Sequence, residues 1–370
     1  MNNNLKLKIM NKNKKKINLR KYSTNTNYTL FYDINTKRIF LKNIFSKCFI
    51  TKLLFIICFI SSKYIASLRI NGILYSQNKI MIKINKPGHH KIFNKITGKD
   101  ICEYGNDIPT NYPDEIIINN ISHIKDNNNI EEEYDFQEKN NTIVLIWNSE
   151  INTCWNLFKD CSNITEIDLL EFSTPNVKCF TGMFNRATSL ISINFKNFKT
   201  QSAVRMDGMF EGCLSLTKID VSNFITVNVI NMRIMFGICH SLTSLNLSSF
   251  NTEKVIDMGW MFVELSNLTS IDLSNFKTSY VETFDFMFAG CINLESLNIT
   301  NFDTSKAKNM EYMFHLCPSL PSLDLHNFDT SKVISMANMF AHCYKLISID
   351  VSSFDTSSVT NNGRNVWRMS

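Results

Sequence analysis

Glycine is scarce in this chain, with 11 residues in 370, and none of them belongs to a Gly-rich loop that could cradle a phosphate. A long apolar run is missing too. The longest uninterrupted one, Leu53–Ile60, is eight residues, whereas a membrane-spanning helix needs about 20 mostly apolar residues. Histidine forms no ligand pattern: His89-His90, His240, His315 and His342 neither repeat nor pair, so no metal centre is expected. No insertion breaks the repeat spacing to open a pocket, which argues against an enzyme. No catalytic residue and no cofactor is expected.

Charge of one sign is missing from most of the chain's start. Residues 1–52 hold 13 Lys/Arg against the single acid Asp33, a net of +12, and since the whole chain is +6 the remainder sums to −6. The body is therefore mildly acidic and no nucleic-acid surface is expected on it. The Asn/Lys-rich opening, residues 1–41, reads as a disordered basic tail. Residues 42–68 (KNIFSKCFITKLLFIICFISSKYIASL) read as a signal or signal-anchor candidate with basic flanks and small residues near Ala66-Ser67. A buried strand or helix is the alternative. If the stretch is membrane-active, attachment runs through 42–66, with the Lys-rich flank on the cytosolic side.

What is abundant is repetition. Met-Phe pairs place Phe184, Phe210, Phe236, Phe262, Phe288, Phe314 and Phe340 26 residues apart, with Phe158 one period earlier. A second Phe column holds Phe172, Phe198, Phe224, Phe250, Phe276, Phe302, Phe328 and Phe354, each followed two residues later by Thr. Between them lies a Cys column, Cys161, Cys213, Cys239, Cys291, Cys317 and Cys343, in which Ala187 and Leu265 take the other two places. A Cys that alternates with Ala and Leu reads as a small buried hydrophobe. A disulfide between repeats would have to pinch their spacing.

The period predicts stacked units that bury one apolar side against each other. Stretches such as Ile219-Asp220-Val221 alternate like a short strand, while Val229, Met232, Met235, Phe236, Cys239 and Leu242 recur at helical spacing. The Asp-Thr-Ser before Lys306 and before Val333 (Ser305 and Ser331 ending each) suits helix starts. The expected fold is an α/β solenoid: eight 26-residue repeats over 148–361 in a right-handed, leucine-rich-repeat-like coil with one parallel β-sheet. A small β-rich leader over 79–147 is expected to cap it, with strands KIMIKI, DEIIIN, YDF and TIVLIW. Residues 362–370 form a C-terminal tail.

One outward residue stands in each strand: Asp168, Asn194, Asp220, Asn246, Asp272, Asn298, Asp324 and Asp350. The column reads either as a hydrogen-bonding ladder that keeps the face soluble or as a polar recognition strip. Alternating Asp with Asn keeps like charges apart until Asp324 and Asp350.

The repeat M-F-x-x-C-x-x-L-x-S-[IL]-[DN]-[LV]-S-x-F-[DN]-T-S-x-V-x-x-M, covering roughly 141–361, resembles the BspA-type leucine-rich-repeat surface proteins. That resemblance implies a solenoid fold and adhesion or binding at a cell surface. The sequence departs from ordinary leucine-rich repeats in having Phe250 or Phe276 where they place Asn, so no buried Asn ladder is expected. The expected role is a non-enzymatic surface or secreted protein binding a protein or glycan, with an intracellular, cytoplasmic interaction scaffold as the alternative. Sequons at Asn120, Asn140, Asn163, Asn246, Asn267 and Asn298 gain meaning only if the chain is exported.

Overall fold

The computed structural model describes residues 7–8, 14–19, 28–33 and 38–42 as strands, and residues 78–94, 112–124 and 131–361 apart from 348. The hydrophobic stretch 43–68 and the tail 362–370 lie outside the described residues. The chain divides into two units, Met1–Ser76 and Gln77–Ser370. In the first, β1 (Leu7–Lys8), β2 (Lys14–Leu19), β3 (Tyr28–Asp33) and β4 (Arg38–Lys42) pair antiparallel in sequence order. These strands fall in the segment that composition assigns to disorder. Tyr28–Asp33 and Arg38–Lys42 hold the β-branched and aromatic residues that favour an extended chain.

The second unit begins with β5 (Asn78–Ile84), β6 (Gly88–Lys91), β7 (Glu115–Ile118), β8 (Ile121–Ile124), β9 (Glu133–Phe136) and β10 (Asn141–Trp147). The segments expected as KIMIKI, DEIIIN, YDF and TIVLIW strands coincide with β5, β7, β9 and β10. β5 shows why: Ile80, Ile82 and Ile84 alternate with solvent-facing residues and are fully buried. β5 and β10 pair antiparallel, Asn141 opposite Ile84. The neighbour of the first repeat strand, β11 (Glu166–Asp168), is β5, antiparallel, and not the preceding strand β10. Lys83 Nζ meets Glu166 Oε2 at 2.6 Å across that pair.

The expected α/β solenoid with one continuous parallel sheet is overturned. The described residues contain no helix, and their sheets are small and mostly antiparallel or mixed. Parallel strand pairs are confined to β11 with β12 (Ser192–Asn194) and to β13 (Ser270–Asp272) with β14 (Ser296–Asn298). Seven single parallel bridges link Cys179, Arg205, Asn231, Asp257, Thr283, Asn309, Ser335 and Asn361 in turn.

The missing helix has a specific cause. In the stretch expected to be helical, alternate backbone N–H groups donate to the next repeat and not to residue i−4. Phe236 N–H reaches the Met261 carbonyl at 3.1 Å, Ile238 N–H reaches Val263 at 2.8 Å, and the same offset of 25 recurs from Cys154 to Leu316. The N–H groups between these close three-residue turns, as from Met235 to the Met232 carbonyl and from Gly237 to Ile234. Two residues per repeat take positive φ to permit this. Gly182 and Gly208 occupy one place and Gly212 and Gly290 the other, but Ile234 (φ 53°), Trp260 (φ 62°), Phe286 (φ 54°) and Tyr312 (φ 55°) also sit there. Left-handed backbone costs a side-chain-bearing residue about 1–2 kcal/mol.

The apolar columns are buried as the period demands. Phe158, Phe184, Phe210 and Phe236 stack at centroid spacings of 5.8, 5.5 and 5.5 Å, and the stack continues through Phe262, Phe288 and Phe314 to Phe340. Phe224, Phe250, Phe276, Phe302 and Phe328 fill the second column, all within 3% of full burial. Cys213, Cys239, Cys291 and Cys317 are buried, Cys343 partly so, and all five are free thiols. Each Sγ–H donates to the carbonyl of the Phe 29 residues earlier, from Cys213 to Phe184 at 3.3 Å through to Cys343 to Phe314 at 3.0 Å.

Candidate binding surface

The outward Asp/Asn column does local structural work in every repeat. Oδ1 of Asp168, Asn194, Asp220, Asn246, Asp272, Asn298, Asp324 and Asp350 accepts the N–H two residues on, at 2.9, 3.1, 3.0, 3.0, 3.0, 3.4, 3.2 and 2.9 Å. These are Asx-turns, which bend the chain out of each short strand. At five of the eight places the signal was present in the sequence as Asp or Asn two places before Ser or Thr; Leu170, Lys196 and His326 stand there in the other three.

Asp220 is held below the ordinary carboxylate value by the Ser222 hydroxyl and N–H. Asp272 is lowered by Ser274, Asp324 by His326 and Asp350 by Ser352. These four carboxylates therefore stay ionised at neutral pH, with one oxygen of each committed to its own turn.

Four of the eight column residues line one open groove. Asp220, Asn246, Asp272 and Asn298 share a depression of about 710 Å³ with Lys218, Ser244, Ser270 and Ser296. Asp168, Asn194, Asp324 and Asp350 lie outside it. The groove spans the stretch where pairing lapses: among the described residues no backbone hydrogen bond joins 218–220 to 244–246, although β13 and β14 beside them are paired. Its floor is apolar, with Leu245 and Ile271 buried beneath the polar rows. Two parallel rows, one mainly hydroxyl and one of carboxylate and carboxamide, thus face solvent over four successive repeats.

Two structural devices escape the sequence reading. The first is the Thr column. Thr174, Thr200, Thr226, Thr252, Thr278, Thr304 and Thr330 are at most 2% exposed. Each hydroxyl grips the next repeat twice: Thr278 Oγ1 donates to the Asp303 carbonyl at 2.9 Å and accepts the Asp303 N–H at 2.8 Å. The Asp before Thr304 and Thr330 closes a turn: Asp303 Oδ1 accepts the Ser305 N–H at 3.0 Å and Asp329 Oδ1 the Ser331 N–H at 2.9 Å, in place of the helix starts expected there. The second device is an ion pair across two repeats. Arg233 meets both oxygens of Asp285 at 2.9 and 2.8 Å. It passes over Gly259, where a Cβ would come within 2.3 Å of both partners.

Asp285 also accepts Thr283 Oγ1 at 2.5 Å and Trp260 Nε1 at 2.7 Å. Burial raises the Asp285 carboxyl, and the Arg233, Thr283 and Trp260 donors outweigh it, so the net direction is down. Asp257 goes the other way, because burial exceeds what the Gly259 N–H and Arg233 return. Burial pushes the Cys291 thiol up to about 12 and Cys343 to about 11, far from the thiolate needed for nucleophilic or ligand chemistry. Among the described residues no group of three or more His, Cys, Asp or Glu could hold a metal ion, and no helix is long and apolar enough to cross a membrane.

Two overlapping stretches, 152–270 and 258–368, each match the family model described as "Mycoplasma protein of unknown function, DUF285". Together they span residues 152–368, more than half of the 370 residues. No curated protein and no solved structure matches the chain.

Proposed function

Because the chain belongs to the DUF285 family through its repeats, we propose that those repeats present a non-enzymatic binding surface, with the groove over 218–298 as the ligand seat. The observation that carries this is the groove itself. Hydroxyl, carboxylate and carboxamide groups stand in two rows over an apolar floor, a mixture that suits a protein segment or a glycan. Binding is favoured over catalysis by the state of the groups present. The carboxylates are lowered and tied into turns, so they make poor general acids, and the thiols are raised and buried.

The repeat's resemblance to BspA-type surface proteins supports placement at the cell surface or in the secreted fraction, with attachment through 42–66. The seven free thiols among the described residues, Cys154, Cys161, Cys213, Cys239, Cys291 and Cys317 in the core and Cys343 half-buried, favour a second reading. Unpaired Cys is at home in a reducing compartment, and there the same groove makes an intracellular interaction scaffold.

The test combines place and ligand. A C-terminally tagged full chain is expressed in a eukaryotic cell, and protease accessibility and endoglycosidase sensitivity are read on intact cells. An exposed tag supports the surface reading, and a protected one the scaffold. Glycan and peptide arrays are then probed with the native chain and with Ser244→Arg/Ser270→Arg, which fills the groove and leaves the Asx-turns in place. Loss of about tenfold or more in binding is expected. Equal binding by the two chains removes the groove from the proposal.

A further inference from the structure

The first left-handed position of the repeats reads Asn156, Gly182, Gly208, Ile234, Trp260, Phe286, Tyr312 and Asn338. Asn and Gly are what such a backbone favours, and they hold both ends of the column. The four middle places carry large apolar side chains, including a β-branched Ile, at positive φ. The repeat imposes that backbone, so what the fold leaves unexplained is the choice of bulky side chains over Gly or Asn at these four places.

What those side chains produce is a fixed aromatic strip. The Trp260 and Phe286 rings stack at 4.3 Å and Phe286 and Tyr312 at 4.5 Å, with His315 edge-on to Tyr312 at 5.0 Å. Trp260 is pinned further through its N–H to Asp285, which Arg233 holds in turn. All three rings remain partly exposed, and Leu316 beside them is 41% exposed. None of these residues lines the groove.

We propose that this strip is a second docking surface, and that its occupant is a segment of another protein carrying apolar side chains interspersed with Lys or Arg. The ring geometry argues against a sugar platform: a pyranose packs on a free aromatic face, and here Phe286 is stacked on both sides, by Trp260 and by Tyr312. Edges and aliphatic side chains offer apolar contact to a protein partner.

The charge around the strip selects for a basic one. Glu211 bonds the Asn185 amide, Glu264 faces His240 Nε2 at 3.1 Å, and Glu311 takes the Ser335 hydroxyl and the Asn361 amide. Among the described residues none of the three meets a Lys or Arg. Their negative charge is therefore available to a partner.

A random peptide library displayed on phage, selected against the full chain, tests this. Enriched clones are expected to combine Lys or Arg with aromatic or aliphatic residues and to weaken as salt is raised. Phe286→Gly supplies the residue the backbone favours, so its thermal midpoint should stay within about 3 °C of the native chain, while clone binding falls about tenfold or more. Glu311→Gln keeps the shape, removes one charge and should weaken binding too. Acidic clones, no clones, or clones that bind Phe286→Gly as well as the native chain overturn the proposal. If Phe286→Gly fails to fold, Glu311→Gln decides: reduced binding upholds the strip, and unchanged binding reduces it to internal stacking.

Discussion

A threonine hydroxyl buried once per repeat is the smallest unit of this architecture, and it carries more than its size suggests. It donates to and accepts from the same residue of the next repeat, so the Asp303 N–H and carbonyl both depend on Thr278. Thr278→Val keeps volume and removes both bonds, leaving two polar groups buried without partners. A loss of about 1–3 kcal/mol in urea unfolding is expected, and Thr278→Ser should retain most of the native value. Equal stability of the Val variant would mean that water replaces the clasp. The invariant Thr was visible in the sequence, but its role was not. The motif there is a single hydroxyl whose two partners lie one repeat away, and nothing local to the Thr announces them.

At the scale of the element, β6 and β9 are held together by a histidine between two acids. His89 Nδ1 lies 2.9 Å from Asp135 Oδ1 and Nε2 lies 2.9 Å from Glu133 Oε2. The hydrogen bond to Asp135 is the largest cause raising its pKa, followed by that to Glu133. A raised folded value places the stabilising contribution fully below the ordinary histidine value, and it is lost as pH rises through the higher folded value. Once rates are corrected for the base-catalysed exchange of an unprotected amide, protection in β6 should therefore be higher in mildly acidic solution than in mildly alkaline solution. His89→Gln should abolish the difference; an unchanged pH profile in that variant would exclude the clamp. Element identity was legible where alternation was strong, as in Ile80, Ile82 and Ile84 of β5. It was misread where Val229, Met232, Met235 and Phe236 recur at steps of three and one. Successive three-residue turns bury the same places as a helix does, so the pattern cannot tell them apart. The glycines at Gly182 and Gly208, one period apart, were the available sign of left-handed backbone.

Across the whole molecule the 26-residue period was fully legible, because every repeat must put a like side chain into one shared core. The Asp/Asn column was legible as an exposed ladder, while the groove was not, since it arises where pairing between 218–220 and 244–246 lapses. The core makes a chemical prediction. Burial pushes the Cys291 and Cys317 thiols up, and each donates inward to a Phe carbonyl. Alkylation followed by peptide mass mapping should find these sites about a thousandfold or more slower in the native chain than in the denatured one, since reaction waits on unfolding. Comparable labelling in both would show that the core opens locally without unfolding.

The constant offset of 25 in the inter-repeat hydrogen bonds reaches beyond a single copy of the protein. Each repeat needs only a neighbour with the same bonding frame. A recombination or replication slip that adds or removes one whole repeat of codons therefore keeps every donor facing an acceptor. A slip of any other length breaks the frame and is purged at folding. The gene can thus lengthen or shorten the run of repeats in whole steps without disturbing the bonding frame.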